Sequence, residues 1–180
     1  MYHLPGLQAS IPVLVAWGGG PGRQRTKRRE WVDAQLEALA AQMRELDDLE
    51  RIRRLQIDYG DFLDEGEFDR FGALFAHEGE LLLGPLGRAK GPAAIAAMMA
   101  HAVGAEVGHT RHLIANPRIS LEGDFATARD TWIVYASDGK EPPRVTMVGR
   151  HRDRFTREDG EWKFLRREGR VDLPARFVRD

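Results

Sequence analysis

The chain has 180 residues, 42% of them hydrophobic and 31% charged, with 27 Lys and Arg against 28 Asp and Glu and no Cys. That is about one domain of chain with enough apolar material for a core, so wholesale disorder is excluded, and a formal charge of -1 supplies no basic field for nucleic acid or a membrane surface. Without Cys there are no disulfides, thiolate nucleophiles, Cys-bound zinc or iron–sulfur clusters, which fits a reducing cytoplasm.

Residues 1–22 read as a poorly ordered leader, dispensable for folding. Their longest apolar run, residues 11–17, is broken by Pro12 and falls far short of the roughly 20 apolar residues of a spanning helix. Residues 1–10 hold no Lys or Arg, unlike a secretory signal. The cluster Arg23, Arg25, Lys27, Arg28 and Arg29 reads as a solvated helix start rather than a nucleic-acid surface. A helical stripe then runs through Val32, Leu36, Leu39, Met43 and Leu46, and continues through Leu49, Ile52, Leu55, Tyr59 and Phe62 with a phase shift. The shift predicts a break near residues 44–48, with Asp48 capping the second helix. The chain therefore divides into a leader over 1–22, an appended helix over 23–45 and the domain proper over 46–180.

Gly66 ends that helix. Phe68, Phe71, Leu74 and Phe75 make a short second helix, residues 80–83 a short strand, and Gly84, Pro85 and Gly87 a loop. Pro92 opens a third helix with an apolar face of Ile95, Met98, Met99 and Ala102, and the alanines Ala93, Ala94, Ala96 and Ala97 suit close packing. Residues 110–121, 125–137, 144–157 and 161–173 are four strand-like runs separated by turn signals at Gly123, Gly139 and Gly160. Short loops between such runs imply a sequential antiparallel meander. Helices followed by a meander predict an α+β fold, a curved antiparallel sheet with helices on one face, shaped as a cone with a single pocket.

Strand periodicity places Thr110, His112, Ile114 and Asn116 on one face, and Val145, Met147, Gly149, His151, Asp153 and Phe155 on another. An imidazole titrates near pH 6.5 and suits proton abstraction at neutral pH. His109 and His112 point to opposite faces, no His-x-His or His-Glu-x-x-His occurs, and no metal site is expected. Residues 18–22 lack the Gly-Lys-Ser/Thr ending of a phosphate loop, no Gly-x-Gly-x-x-Gly or Gly-x-Ser-x-Gly is present, and no cofactor or serine nucleophile is expected. What remains is general acid–base chemistry on a hydrophobic small molecule.

Three blocks carry a resemblance: residues 57–69 (Ile-Asp-Tyr-Gly-Asp-Phe-Leu-Asp-Glu-Gly-Glu-Phe-Asp), residues 110–117 with Ala126-Thr127-Ala128, and residues 148–155 with residues 159–164. In this order they resemble the SnoaL-like branch of the nuclear transport factor 2-like superfamily, over about residues 46–173. Its members include scytalone dehydratase, a dehydrochlorinase and polyketide cyclases; the small subunits of ring-hydroxylating dioxygenases share the fold. The resemblance implies a catalytic pair, with the family Asp on Asp64 and the family His on His112. It implies a cytoplasmic lyase or isomerase with no cofactor, working by dehydration, dehydrohalogenation, double-bond shift or cyclisation. The competing readings are a non-catalytic dioxygenase-type subunit and a small-ligand-binding module.

The pocket wall is assigned to His151, Tyr59, Leu63, Leu83, Met98 and Met147. Leu63 and Leu83 stand where the dehydratase has tyrosines, so scytalone dehydration itself is not expected. Tyr59 also fits core packing, and His151 also fits a half-exposed strand histidine beside Asp153. Asp61 reads as a solvated carboxylate. A homodimer or homotrimer is expected through the exposed sheet face, with Trp132 or Trp162 on it, and neither nucleic acid nor membrane as partner.

Overall fold

Glycines with left-handed φ set the turns of the chain's second half: Gly123 at 61°, Gly139 at 77° and Gly160 at 81°. At such angles a side chain is strained and glycine is not. The computed structural model describes residues 21–174. In order they form α1 (Pro21–Glu65), α2 (Phe68–Ala73), β1 (Phe75–Leu82), β2 (Arg88–Lys90), α3 (Pro92–Val103), β3 (Thr110–Glu122), β4 (Phe125–Ala136), β5 (Arg144–Glu158) and β6 (Glu161–Pro174). The fold is α+β, and its six-stranded sheet has the order β2-β1-β6-β5-β4-β3. The last four strands pair as the expected antiparallel meander, while β1 joins β6 in parallel. The short strand β2 was not foreseen. No helix among the described residues is long and apolar enough to cross a membrane.

Two compact units divide the chain, residues 1–43 and residues 44–180. The expected helix break near residues 44–48 is absent, because α1 is continuous. The 20 residues before it, most of the expected leader, lie outside the described residues, and Pro21 and Gly22 are already helical. Asp48 therefore caps nothing. Its carboxylate accepts two bonds from Arg157 Nη2, both 2.8 Å, and one from Trp162 Nε1 at 2.9 Å.

The core of the second unit forms where Ile52, Leu55, Tyr59 and Leu63 of α1 meet Phe71, Phe75, Phe155 and Phe164. Gly72 lets α2 touch α3: a Cβ there would lie 2.4 Å from the Pro92 carbonyl oxygen. Of the four alanines expected to pack closely in α3, only Ala96 is buried; Ala93, Ala94 and Ala97 face out.

Register irregularities set which side chains share the sheet's buried face. In β3, Asn116 and Pro117 stand between the paired residues Ala115 and Arg118, and Asn116 has φ 53°. Such a bulge turns the following residues over, and Asn116 is exposed rather than beside His112. Another irregularity between β4 and β5 leaves Thr146 unpaired, so Val145 is exposed, while Gly149, His151, Asp153 and Phe155 stay buried as alternation predicts. Trp132 and Trp162 are both buried. The expectation that one of them lies on the exposed sheet face fails, because each occupies an inward position in its strand.

Candidate active site

Helix α1 ends in a double hydrogen-bonded stop. Gly66 N–H donates to the Leu63 carbonyl at 3.2 Å and Glu67 N–H to the Phe62 carbonyl at 2.9 Å, with Gly66 at φ 73°. This Schellman closure fixes the last turn and, with it, Asp64. A carboxylate at a helix C-terminus opposes the helix dipole, so helix stability does not explain it. A partner on the sheet does. Asp64 Oδ2 accepts the backbone N–H of His112 at 2.7 Å, and Oδ1 lies 2.7 Å from His112 Nδ1. β3 is an edge strand, and the carboxylate covers an edge N–H that has no strand neighbour.

The approach depends on Gly60, one turn earlier. A Cβ there would stand 3.2 Å from His112 Cβ. Arg111 Nη1 reaches the Asp64 carbonyl at 3.4 Å, placing a cation at the helix end. The Asp64 side chain is 3% exposed and that of His112 is 19% exposed. A carboxylate cannot donate, so Nδ1 carries a proton in this contact, and the Nε2 edge faces away from Asp64. His112 is thus held at two points, its backbone N–H and its ring Nδ1, and the ring retains an accessible edge.

A second Asp–His pair lies further in. Asp130 of β4 faces His151 of β5 in register, and Asp130 Oδ1 lies 2.7 Å from His151 Nδ1. The other Asp130 oxygen accepts Arg167 Nη2 at 2.8 Å and Gln56 Nε2 at 3.0 Å. Asp153 accepts Arg167 Nε and Nη2, both at 2.9 Å, and Gln56 Nε2 at 3.2 Å. Arg167, Asp130 and Asp153 side chains are wholly buried. The Arg167 guanidinium lies over the Tyr59 ring at 4.1 Å and the Phe164 ring at 4.4 Å.

Burial and the Arg167 charge together hold His151 below its ordinary titration range, despite the Asp130 hydrogen bond. Burial alone would raise the Asp130 carboxyl; the His151 hydrogen bond and the Arg167 charge outweigh it and lower it. Burial also raises the Tyr59 phenol. His151 is therefore a neutral imidazole with its proton on Nδ1.

The other expected wall residues scatter. Tyr59 is buried between Phe71, at 4.7 Å between ring centroids, and His151, at 5.5 Å. Leu63 is in the core. Leu83 is half-buried beside Gly169, where a Cβ would meet Leu83 Cδ2 at 2.7 Å and His151 Cδ2 at 3.5 Å. Met147 is half-buried opposite Val134, which in turn pairs with His112. Met98 is half-buried against the core, with its sulfur 3.4 Å from where a Cβ at Gly87 would stand. A cleft of about 380 Å³ at the strand ends is lined by Glu106, His109, Ser137, Arg144 and Thr146 among others, and by neither Asp64 nor His112. Among the described residues, no three His, Asp or Glu gather as a metal site would need.

Sequence reasoning missed Asp130, Arg167, Gln56 and Trp132. Trp132 stacks on His151 with centroids 5.8 Å apart, over Gly149, where any Cβ would fall 2.3 Å from the indole. Its buried Nε1, like Gln56 Oε1 and Arg167 Nη1, has no partner among the described residues. A signal for Asp130 was present: it is the one charged residue in the buried alternation of Ala126, Ala128, Asp130, Trp132 and Val134.

The family profile of the SnoaL-like domain matches residues 44–168, and the chain belongs to that family. Among solved structures it is similar to an NTF2-like protein with a cystatin-like fold from Novosphingobium aromaticivorans. The identity is 32%, over 76% of this chain and 90% of that one, with a TM-score of 0.69. A protein of the same organism named "Putative Scytalone Dehydratase" is 26% identical over 72% of this chain and 87% of its own, with a TM-score of 0.60. The beta subunit of a "putative aromatic-ring-hydroxylating dioxygenase", again from that organism, is 20% identical over 69% of this chain and 88% of its own. Its TM-score of 0.60 shows a shared fold alone. No curated protein matches the sequence.

Proposed function

We propose that this SnoaL-like domain is a cofactor-independent lyase or isomerase acting on a hydrophobic small molecule, with His112 as its base and Asp64 as the residue that positions and charges it. The observation that carries the reading is the two-point grip of Asp64 on His112: Nδ1 at 2.7 Å and backbone N–H at 2.7 Å. One carboxylate thereby fixes the tautomer, the ring plane and the strand beneath the ring. His112 Nε2 takes a proton from a carbon next to an activating group, and the carboxylate stabilises the imidazolium formed. The electron pair left on carbon becomes the new double bond as the leaving group departs. For loss of halide the proton stays on the imidazole until solvent removes it. For loss of water Nε2 returns it to the departing hydroxyl; for a double-bond shift it goes back to a different carbon.

His151 takes a different part in this reading. With its proton on Nδ1 toward Asp130, its Nε2 accepts a hydrogen bond from a substrate hydroxyl rather than donating one. The indole N–H of Trp132, without an acceptor among the described residues, is the donor assigned to a substrate oxygen. The likeness to the scytalone dehydratase-named protein supports the class of chemistry, while Leu63 and Leu83 point to another substrate.

The test is a panel of hydroxylated, halogenated and polyketide-like aromatics. His112→Ala is expected to lower turnover of any true substrate about 10²–10⁴-fold, the range of general-base catalysis, with an unchanged melting curve. Full activity in that variant would contradict the reading.

A further inference from the structure

The helix before residue 44 carries a feature the acid–base site does not use. Val32, Leu36, Leu39, Met43 and Leu46 follow one another at intervals of four, three, four and three. This is a seven-residue repeat with an apolar residue at its first and fourth positions, the pattern that pairs helices. In the folded chain these side chains are 39–64% exposed, and Trp31, Val32, Leu36 and Leu39 border a groove of about 340 Å³. The stripe is flanked by strong helix formers: Ala34, Ala38, Ala40, Ala41 and Gln42, with no Gly or Pro after Gly22 up to Gly60.

The flanking charges suit a second copy of the same helix. With Leu36 and Met43 at the first position, Arg28 falls on the seventh position and Asp33 on the fifth position of the following repeat. In a parallel pair these two positions meet across the seam, so Arg28 of each copy faces Asp33 of the other. The next such pairs are Gln35 with Ala40 and Gln42 with Asp47, so no like charges meet at these flanking positions, and the apolar seam begins at Val32, since Arg25 and Arg29 hold the fourth and first positions before it. Within its own helix Asp33 makes an exposed contact with Arg29 at 4.0 Å, worth a few tenths of a kcal/mol.

We infer that residues 32–46 form a parallel two-stranded coiled coil with a second copy of this chain, flanked by the Arg28–Asp33 pairs. The seam is long enough for about two repeats, roughly 22 Å of helix. That is marginal for helices on their own, so the association is moderate and concentration-dependent.

Sedimentation equilibrium of the full chain at micromolar concentration tests it. The wild type is expected at twice the 20.3 kDa chain mass or a higher multiple, and Leu36→Glu with Leu39→Glu is expected to halve the mass while the melting curve stays unchanged. Arg28→Glu is expected to weaken association several-fold by setting a Glu opposite Asp33 on each side of the seam, and adding Asp33→Arg is expected to restore it. A wild type that stays monomeric at its solubility limit overturns the inference, as does a mass unchanged by the double Glu variant. So does a monomer whose melting temperature falls in that variant, which would assign the stripe to the chain's own residues. Failure of the Arg28/Asp33 exchange overturns the parallel register.

Discussion

Asp64 and His112 meet at the edge strand, where the carboxylate spends both oxygens on one residue and the imidazole keeps 19% of its side chain exposed. Asp130 and His151 meet on the neighbouring strands, where the carboxylate is shared with Arg167 and Gln56 and the imidazole keeps 5%. The bond between acid and ring is 2.7 Å in both. Chemistry at the bond does not separate the two pairs; surroundings do. The outer pair has one histidine nitrogen open to a reactant and a carboxylate dedicated to it. The inner pair belongs to a buried network of two carboxylates and one guanidinium, where any change in one member leaves a charge without its partner.

The sharpest way to break this comparison is to remove the inner cation. Arg167→Met leaves Asp130 and Asp153 buried and unpaired, and is expected to cost about 3–5 kcal/mol of stability, measured by denaturant unfolding. The outer pair is expected to behave in the opposite way. Asp64→Asn keeps the size of the side chain but cannot stabilise an imidazolium, so it is expected to lower kcat by about 10²-fold or more. Its unfolding midpoint is expected to move little, because solvent reaches the His112 ring. If Asp64→Asn unfolds the domain and Arg167→Met does not, the roles assigned to the two pairs are reversed.

The smallest effect is in pH. His151 is held below its unfolded value near 6.5, so below that pH the unfolded chain binds a proton that the folded one resists. Stability from this group is complete above about pH 6.5 and falls as the pH drops, by at most about 1.4 kcal/mol per unit. Asp130, also lowered, adds a loss of the same sign at still lower pH, beneath the ordinary carboxylate range. His151→Asn is expected to flatten the first of these slopes; a wild type equally stable at pH 7.5 and 5.5 would show that the inner pair is not what these surroundings imply.

The chain announced its turns and hid its long-range pairings. Gly123, Gly139 and Gly160 sit at left-handed angles between alternating runs, so the ends of β3 to β6 were legible to within a residue or two. The continuity of α1 was not: the phase shift after Leu46 resembles an end, but it reflects a stripe that faces outward before that point and meets the core from Ile52 onward. Bulges hid the placement of Asn116 and Val145, since one unpaired residue reverses alternation and leaves no local mark. Asp64 and His112 were found through the resemblance of the blocks around them, not by their spacing. The Asp130, Asp153, Arg167 and Gln56 network escaped because it joins residues up to 97 positions apart, and only Asp130 stood out locally, as a charge among alternating apolar residues.

The most direct measurement is the nitrogen-15 spectrum of the histidine side chains of the free protein across pH, with His112→Ala and His151→Ala used for assignment. The account predicts that His112 carries a proton on Nδ1, where it donates to Asp64. It predicts that His151 stays neutral with its proton on Nδ1 to a pH below the ordinary imidazole range. A His112 ring with no proton on Nδ1, or a His151 that takes up its second proton within the ordinary imidazole range, would contradict it.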